Sequence, residues 1–275
     1  MTRSAMSVRA RMVGAAFGIC VIAAVAVADA GVRPGNTAAL TNDFQQLQSS
    51  VQAEIGIAVT PVGGSGPTIS LGQWHSGPAW STIKVPLVMA ALREEHPPPD
   101  VTGQMVAAIT QSDNAAADAI WAGLGDPVTA AKKVDAVLAE TGDHTQVQST
   151  KLQPQYSAYG QTNWALTAQV RFLSAAACDG RNTAVLDLMG EIEKSQRWGL
   201  GTVTGTRFKG GWGPSPALRY LVRQMGVITT LRGDSVVAVA AEPHSGSFSD
   251  GVTVLDQVAA WLSDHIVMLP SGRCR

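Results

Sequence analysis

One short segment of the chain places a hydroxyl nucleophile beside an amine. Ser81 and Lys84 are three residues apart in Ser81-Thr82-Ile83-Lys84, at the start of a helix predicted over 80–92. Positions i and i+3 share a helix face, so Lys84 should lie beside the Ser81 hydroxyl. A serine hydroxyl is a weak nucleophile until a base removes its proton, and a lysine in a dry site can be that base. The alternative interpretation is that Ser81 caps the helix and Lys84 is solvated, since this arrangement has the same spacing.

Two further polar segments interrupt apolar or β-rich surroundings. Ser112-Asp113-Asn114 lies between alanine-rich stretches of a helix predicted over 102–124. Polar groups there are costly unless they are hydrogen-bonded or face a cleft, although serine and asparagine also favour helix caps. Lys209-Gly210-Gly211 ends a predicted strand and precedes Trp212. Glycines at this point allow a ligand backbone to approach closely, and the lysine supplies a charge for a carboxylate.

In this order, the three segments resemble the S-x-x-K, S-D-N and K-T-G motifs of the penicillin-recognising serine acyltransferases. That family comprises the class A β-lactamases and the low-molecular-weight penicillin-binding proteins. The resemblance covers most of residues 41–266. It implies an α/β (α+β) β-lactamase/transpeptidase-like fold, an antiparallel sheet flanked by helices plus an inserted all-helical lobe. The α/β lobe would take residues 41–84 and 200–275, and the helical lobe residues 85–199.

The resemblance also implies catalytic roles for three residues. Ser81 would attack an amide carbonyl and become acylated, and Lys84 would be its proton partner. Ser112 would pass the proton to the leaving nitrogen. The substrate would be a small-molecule β-lactam or a D-alanyl peptide of the cell wall, with no cofactor and no metal.

The same resemblance assigns the binding groups. Asn114 would hold Lys84 and the substrate's side-chain amide, while Lys209 would bias Ser112 and bind a substrate carboxylate. Gly211 and Trp212 would contact substrate along the strand. The oxyanion hole maps onto the backbone N–H groups of Ser81 and Trp212, and such donors lower an acylation barrier by a few kcal/mol.

Two departures from the family pattern modify this expectation. Class A β-lactamases activate the deacylating water with a glutamate, but the corresponding loop, 142–163, contains only the acid Asp143, with Lys151 and Gln153 where the glutamate belongs. We therefore expect slow hydrolysis of an acyl-enzyme. Gly210 replaces the hydroxyl residue of the third motif, which removes a hydrogen bond to a substrate carboxylate.

Two other functions remain open from the sequence. The fold could persist as a non-catalytic binding domain, or as a secreted esterase on the same scaffold. His75 could serve as an alternative base, but a histidine on a surface loop is the favoured interpretation. No G-x-S-x-G segment surrounds a serine, and no H-E-x-x-H or H-x-H pairing occurs, which disfavours α/β-hydrolase and metallo-hydrolase sites.

Composition narrows the possible partners. The 275 residues are 45% hydrophobic and 15% charged, with a net charge of -1. This composition excludes a basic phosphate-binding surface, and with it nucleic acid, and it excludes a disordered chain. We expect a monomer.

The N-terminal 30 residues are typical of an export signal. A basic segment with three arginines precedes the apolar run 12–28 and the small-x-small sequence Ala28-Asp29-Ala30. An uncleaved N-terminal anchor is the alternative, and would be the one route to membrane association. Cys20 does not favour a lipoprotein, because Ile19 precedes it. Either way, residues 41–275 should lie outside the cytoplasm, where Cys178 and Cys274 form a disulfide or remain two thiols.

The remaining elements follow from periodicity and turn residues. A linker over 31–40 precedes a helix over 41–51, and a hairpin takes 54–59 and 68–71. The middle of the chain is helical, and the end reads as three strands and a helix. The predicted helices are 126–140, 164–177, 182–193 and 251–266, and the predicted strands are 203–209, 218–231 and 235–241.

Overall fold

The computed structural model describes residues 1–2, 34–64, 66–94, 100–217 and 219–274. The chain divides into two units, Met1–Ala30 and Gly31–Arg275, and the fold below is that of the second unit. The predicted signal peptide falls almost wholly outside the described residues, as does the start of the predicted linker.

The described part contains eight α-helices and seven strands. The helices are α1 (Pro34–Ser50), α2 (Lys84–Ala91), α3 (Gly103–Val106), α4 (Asn114–Gly123), α5 (Pro127–Ala139), α6 (Leu166–Ala176), α7 (Thr183–Leu188) and α8 (Phe248–Asp264). The strands are β1 (Ala53–Pro61), β2 (Ile69–Gly72), β3 (Ser76–Pro78), β4 (Asn163–Ala165), β5 (Thr206–Pro214), β6 (Tyr220–Thr230) and β7 (Gly233–Pro243).

Five strands form one antiparallel sheet in the order β2-β1-β7-β6-β5. The two ends of the chain therefore share a sheet, as the sequence predicts. Both faces of the central strands are covered, since every residue of β7 except Asp234 is buried. Helix α6 packs on β1 and β7, while α8 packs on β6 and β7 and also contacts α1. The antiparallel sheet flanked by helices is confirmed.

Local sequence explains where several helices begin. The Asp126 carboxylate accepts hydrogen bonds from the backbone N–H groups of Val128 and Thr129, and Pro127 occupies the first position of α5. The Ser247 hydroxyl accepts from the N–H of Asp250, so α8 begins at Phe248, three residues before the predicted start.

Two boundaries differ from the prediction. Residues 34–40, predicted as linker, are helical, because α1 begins at Pro34 and buries Leu40 and Phe44 on one stripe. The predicted continuous helix over 102–124 is divided into α3, a π-helical turn over 107–111 and α4. Ser112 has a left-handed backbone with φ 58°, and the Asp113 carboxylate caps α4 by accepting from the N–H of Ala116. The break places the second motif at a helix start.

The assignment of residues 85–199 to a helical lobe also needs correction. Helix α6 packs on the main sheet, and β4 pairs with β3 in a separate two-stranded ribbon. Both therefore belong with the sheet rather than with α4 and α5.

Cys178 and Cys274 are joined by a disulfide across 96 residues of chain. The sequence left this pairing open. Cys178 follows α6, so the bond ties the C-terminal segment to the helix that packs on the sheet. Closing so long a loop lowers the entropy of the unfolded chain and is worth about 4.7 kcal/mol in the chain-entropy account.

Within the described ranges, every helix is too short or too polar to cross a bilayer. The same ranges contain no cluster of three histidine, cysteine or acidic residues that could hold a metal ion.

Candidate active site

A cavity of about 340 Å³ opens between the β5 edge of the sheet and the helical region. Four segments build it: the turn that leads into α2, the start of α4, part of the loop over 151–160, and the β5–β6 hairpin. Its lining includes Ser81, Lys84, Ser112, Asn114 and Trp212. The structure thus brings five of the seven predicted site residues to one cavity, and Lys209 and Gly211 lie directly behind its wall.

Ser81 lies in a short 3-10 turn, Trp80–Ile83, that runs into α2. Trp80 has φ 48°, a left-handed conformation that costs a bulky residue of order 1–3 kcal/mol. Its ring compensates by packing on Gly213, where a Cβ atom would lie only 2.5 Å from the indole, and edge-to-face on Tyr156. Among the described non-glycine residues, only Trp80 and Ser112 have positive φ. Both line the cavity, as strained residues at functional sites often do.

Lys84 is buried at the first position of α2, and its ammonium nitrogen is fully engaged. The Nζ atom donates to the carbonyl oxygens of Ser112 and Asp113 at 2.6 and 3.2 Å, and to Oδ1 of Asn114 at 2.7 Å. Burial lowers the pKa of Lys84 to about 8, although the carboxylates of Asp113 and Asp118 oppose the shift. A lysine with this pKa is partly neutral near neutral pH and can accept a proton.

Ser112 stands between the two lysines of the motifs. Its carbonyl oxygen accepts from Lys84, and its hydroxyl oxygen accepts from Nζ of Lys209 at 2.8 Å. Lys209 is fully buried and also donates to the carbonyl of Gly210 at 2.9 Å. Burial, followed by the charge of Lys84, lowers the pKa of Lys209. The left-handed backbone at Ser112 allows its carbonyl and its hydroxyl to face different lysines.

Strand β5 passes closely behind Ser81, and glycine permits this approach. A Cβ atom on Gly211 would lie 2.8 Å from the backbone nitrogen of Ser81 and 2.9 Å from that of Thr82. The strand continues to Pro214 rather than ending before Gly210 as predicted, so Trp212 lies in regular pairing opposite Val222. The backbone of the third motif is thereby held beside the turn that carries Ser81.

Gly210 has an aromatic environment where the family has a hydroxyl. A Cβ atom there would be 3.6 Å from the rings of both Trp198 and Trp212. These two rings pack edge-to-face, and each also contacts Phe248. The position that lacks a hydroxyl is therefore bordered by apolar rings.

The loop over 142–163 contributes polar side chains to the cavity but no acid. Its one acid, Asp143, is buried elsewhere and accepts hydrogen bonds from Thr145 and from Nε1 of Trp164. Lys151 lines the cavity, whereas Gln153 does not. Asp143 therefore holds the loop in place. As the sequence predicts, this loop supplies no carboxylate to the cavity.

Asp118 is a cavity residue that the sequence analysis missed. Among the described residues that line the cavity, it carries the one carboxylate. It lies one helical turn after Asn114 on α4, and its Oδ1 accepts from the hydroxyl of Tyr159 at 2.6 Å. Burial, together with this hydrogen bond, raises the pKa of Tyr159, so the phenol remains a donor. The i, i+4 spacing from Asn114 was the available signal.

A buried arginine supports the turn that carries Ser81. Arg223 on β6 is fully buried, and no carboxylate pairs with it among the described residues. Its NH1 nitrogen donates to the carbonyls of Gly77 and Pro78, both at 2.9 Å. Its NH2 nitrogen donates to the carbonyl of Trp164 and to Oε1 of Gln169, at 2.9 and 2.6 Å. Burial lowers the pKa of Arg223, and four oxygens offset the desolvation of its charge.

Gln169 continues this network to the residue after Ser81. Its amide nitrogen donates to the Thr82 hydroxyl at 2.9 Å, and that hydroxyl donates to the carbonyl of Ala79 at 2.6 Å. Hydrogen bonds thus connect the sheet, through Arg223, to both sides of Ser81. Sequence reasoning did not identify either residue, because an arginine in a strand normally faces solvent.

Replacing Arg223 by methionine is expected to lower the free energy of unfolding by about 3–5 kcal/mol. Four hydrogen bonds from a charged donor would be lost, and such bonds contribute about 1.5–3 kcal/mol each before the desolvation of the charge is deducted. Urea unfolding measures the loss. Arg207→Met on the neighbouring strand is the matched control, because Arg207 is partly exposed and only approaches Asp187 at 3.7 Å. That change should stay within about 0.5 kcal/mol. A loss below about 1 kcal/mol in Arg223→Met would contradict the structural role of Arg223.

The alternative base considered from the sequence lies elsewhere. His75 is exposed, just before β3, and is not among the residues that line the cavity. Its backbone carbonyl accepts from the N–H of Leu166, which joins β3 to the start of α6.

Comparison with known proteins identifies the fold. No family model and no curated protein sequence matches the chain. Among solved structures, TLA-1 extended-spectrum β-lactamase is similar with a TM-score of 0.67 and 16% identity, over 84% of this chain and 99% of that one. The class A β-lactamase from Mycobacterium abscessus is similar with a TM-score of 0.66 and 16% identity, over 83% of this chain and 99% of that one. The β-lactamase from Streptosporangium roseum has a TM-score of 0.64 and 16% identity, over 84% of this chain and 100% of that one. The chain has a serine β-lactamase-like fold.

Proposed function

We propose that the protein is an exported serine hydrolase or acyltransferase that acts on β-lactams or on D-alanyl cell-wall peptides through an acyl-enzyme at Ser81. The observation that carries this proposal is the convergence of Lys84 and Lys209 on Ser112 at a cavity that also holds Ser81. A binding module has no evident need for two buried lysines joined through one serine. The export part rests on the sequence pattern of residues 1–30.

The proposed reaction begins at the Ser81 hydroxyl. Lys84 accepts its proton as the oxygen attacks the carbonyl carbon of the amide. The developing oxyanion takes hydrogen bonds from the backbone N–H groups of Ser81 and Trp212. Such donors stabilise the transition state because they are already oriented before the reaction.

Collapse of this intermediate breaks the amide C–N bond. Ser112 gives its proton to the leaving nitrogen and recovers one through the lysines that contact it. Lys209 orients the Ser112 hydroxyl and supplies positive charge on the leaving-group side. Asn114 holds Lys84 and offers its amide to the acyl side chain of the substrate. The product is an ester of Ser81.

Removal of the acyl group should be slow. A water molecule needs a base near the ester, and no carboxylate of the loop over 142–163 reaches the cavity. Asp118 is on α4, and one of its oxygens is already occupied by Tyr159. Stable acylation rather than fast turnover is therefore the proposed outcome with β-lactams.

Intact-mass measurement after incubation with benzylpenicillin tests the proposal. The folded protein should gain the mass of one drug molecule and lose it slowly, whereas heat-denatured protein should gain none. Fast hydrolysis without an adduct would contradict the slow step, and loss of that hydrolysis in Asp118→Asn would make Asp118 the base. Absence of both adduct and hydrolysis would overturn the proposal.

The surroundings of Gly210 favour one alternative substrate. Apolar rings border the position where a hydroxyl would bind a substrate carboxylate, which suits an ester without that carboxylate. Turnover of nitrophenyl acetate without penicillin labelling would support a secreted esterase. Absence of both reactions would support the non-catalytic binding domain.

A further inference from the structure

Asp118 gives the cavity a negative group on one side. It lies four residues after Asn114 on α4, so the two side chains share a helix face and are about 6 Å apart along the axis. Lys209 and Ser112 define the opposite side, next to the sheet. Asp118 therefore lies beyond the residue proposed to hold the acyl side chain, away from the proposed leaving-group side.

The Asp118 carboxylate is oriented but not neutralised. Tyr159, which is 2% exposed, holds Oδ1 with a hydrogen bond of 2.6 Å. Within the described ranges, no lysine, arginine or histidine forms an ion pair with Asp118, and Oδ2 has no hydrogen-bond partner. Lys84 donates to three other oxygens, and the one hydrogen bond of Lys151 to the described part of the chain is with the carbonyl of Pro154, at 3.5 Å.

Aromatic rings also line the cavity. Tyr156, Tyr159 and Trp80 all line it, and Tyr156 packs edge-to-face on Trp80 with ring centroids 5.0 Å apart. Aromatic rings attract cations through their quadrupole, and the Asp118 carboxylate, which Tyr159 holds, supplies a direct counter-ion. Together these groups form a surface suited to an ammonium group.

We propose that the cavity selects acyl donors that carry a cationic amino group on the acyl side of the scissile amide, with Asp118 as the counter-ion of that group. This inference rests on the proposed function. The substrate would have positive charge at the Asp118 side and a carboxylate at the Lys209 side. A peptide with a free amine before the scissile bond and an amino-bearing β-lactam share this chemistry.

Ampicillin and benzylpenicillin provide a matched pair of probes, since they differ by one primary amine on the acyl side chain. We expect wild-type protein to be acylated faster by ampicillin, at a pH slightly below neutral. In Asp118→Asn, the ratio of the two second-order acylation rate constants should fall about tenfold, because a charge-assisted hydrogen bond is lost. Asp264→Asn, an exposed position at the end of α8, removes the same charge and should leave the ratio unchanged.

The ratio separates recognition from other effects of the substitution. Asparagine keeps an oxygen acceptor for Tyr159, and any change at Lys84 affects both drugs equally. An unchanged ratio in Asp118→Asn would overturn the inference. Equal acylation rates for the two drugs in wild-type protein would overturn it as well, and that comparison requires no variant. Absence of an adduct with either drug would instead overturn the proposed function.

Discussion

Replacing Ser81 by alanine is expected to abolish the covalent adduct with benzylpenicillin. The alanine removes the one oxygen proposed to form the acyl bond, so the loss should be complete rather than partial. The fold should persist, because the Ser81 hydroxyl has no hydrogen-bond partner among the described residues, while Thr82 and Arg223 hold the turn. Urea unfolding of the variant checks that its free energy of unfolding is unchanged.

The sequence around Ser81 allows the adduct to be located. Trypsin cuts after Lys84 but not at the Arg33-Pro34 bond, so the acylated residue should appear in the tryptic peptide that ends at Lys84. That peptide contains five other serines, at positions 49, 50, 65, 70 and 76, which makes the variant necessary. Ser49→Ala, at an exposed position of α1, is the control and should label normally. An adduct of undiminished yield in Ser81→Ala would assign the nucleophile to another residue.

Replacing Lys84 by methionine is expected to slow acylation of Ser81 by about 10²- to 10⁴-fold. Methionine retains much of the side-chain volume but cannot accept the proton of the Ser81 hydroxyl. It also leaves Asn114 and the Ser112 carbonyl without their donor, so some loss of stability should accompany the kinetic effect. Stopped-flow or quenched mass measurements of acylation give the rate. A decrease below about tenfold would argue that Lys84 is not the base.

The pH dependence of acylation provides an independent test of Lys84. Its pKa is lowered to about 8, and only the neutral amine can accept a proton. Below that value the neutral fraction changes about tenfold per pH unit, so the rate should rise with pH and level off above about pH 8. A flat profile across this range in wild-type protein would contradict the assignment.

Asp118 allows the titrating group to be identified. Its charge raises the pKa of Lys84, so Asp118→Asn should move the inflection of the profile to lower pH. Asp264→Asn should leave the inflection in place. An inflection that does not respond to Asp118→Asn would belong to a group other than Lys84.

The sequence alone predicted the elements that depend on local spacing and on motif order. The i, i+3 spacing of Ser81 and Lys84, the hairpin of β1 and β2 and the strands at both ends of the chain all follow short-range patterns. The lack of an acid other than Asp143 in the loop over 142–163 is equally a property of the sequence. These features could be predicted because neighbouring residues decide them.

The tertiary structure decided which distant groups meet. The left-handed break at Ser112 stands in an alanine-rich stretch whose periodicity predicts one helix, and it is accompanied by the contacts of Ser112 with Lys84 and Lys209. The pairing of Cys178 with Cys274 depended on where the C-terminal segment packs. Arg223 has no local signal for its role, and the i, i+4 spacing of Asp118 from Asn114 indicates a shared helix face but not what that face contacts, since isolated charged residues in a helix or strand usually face solvent. Packing of α4 against the loop and of β6 behind β3 brought them to the cavity and beneath Ser81.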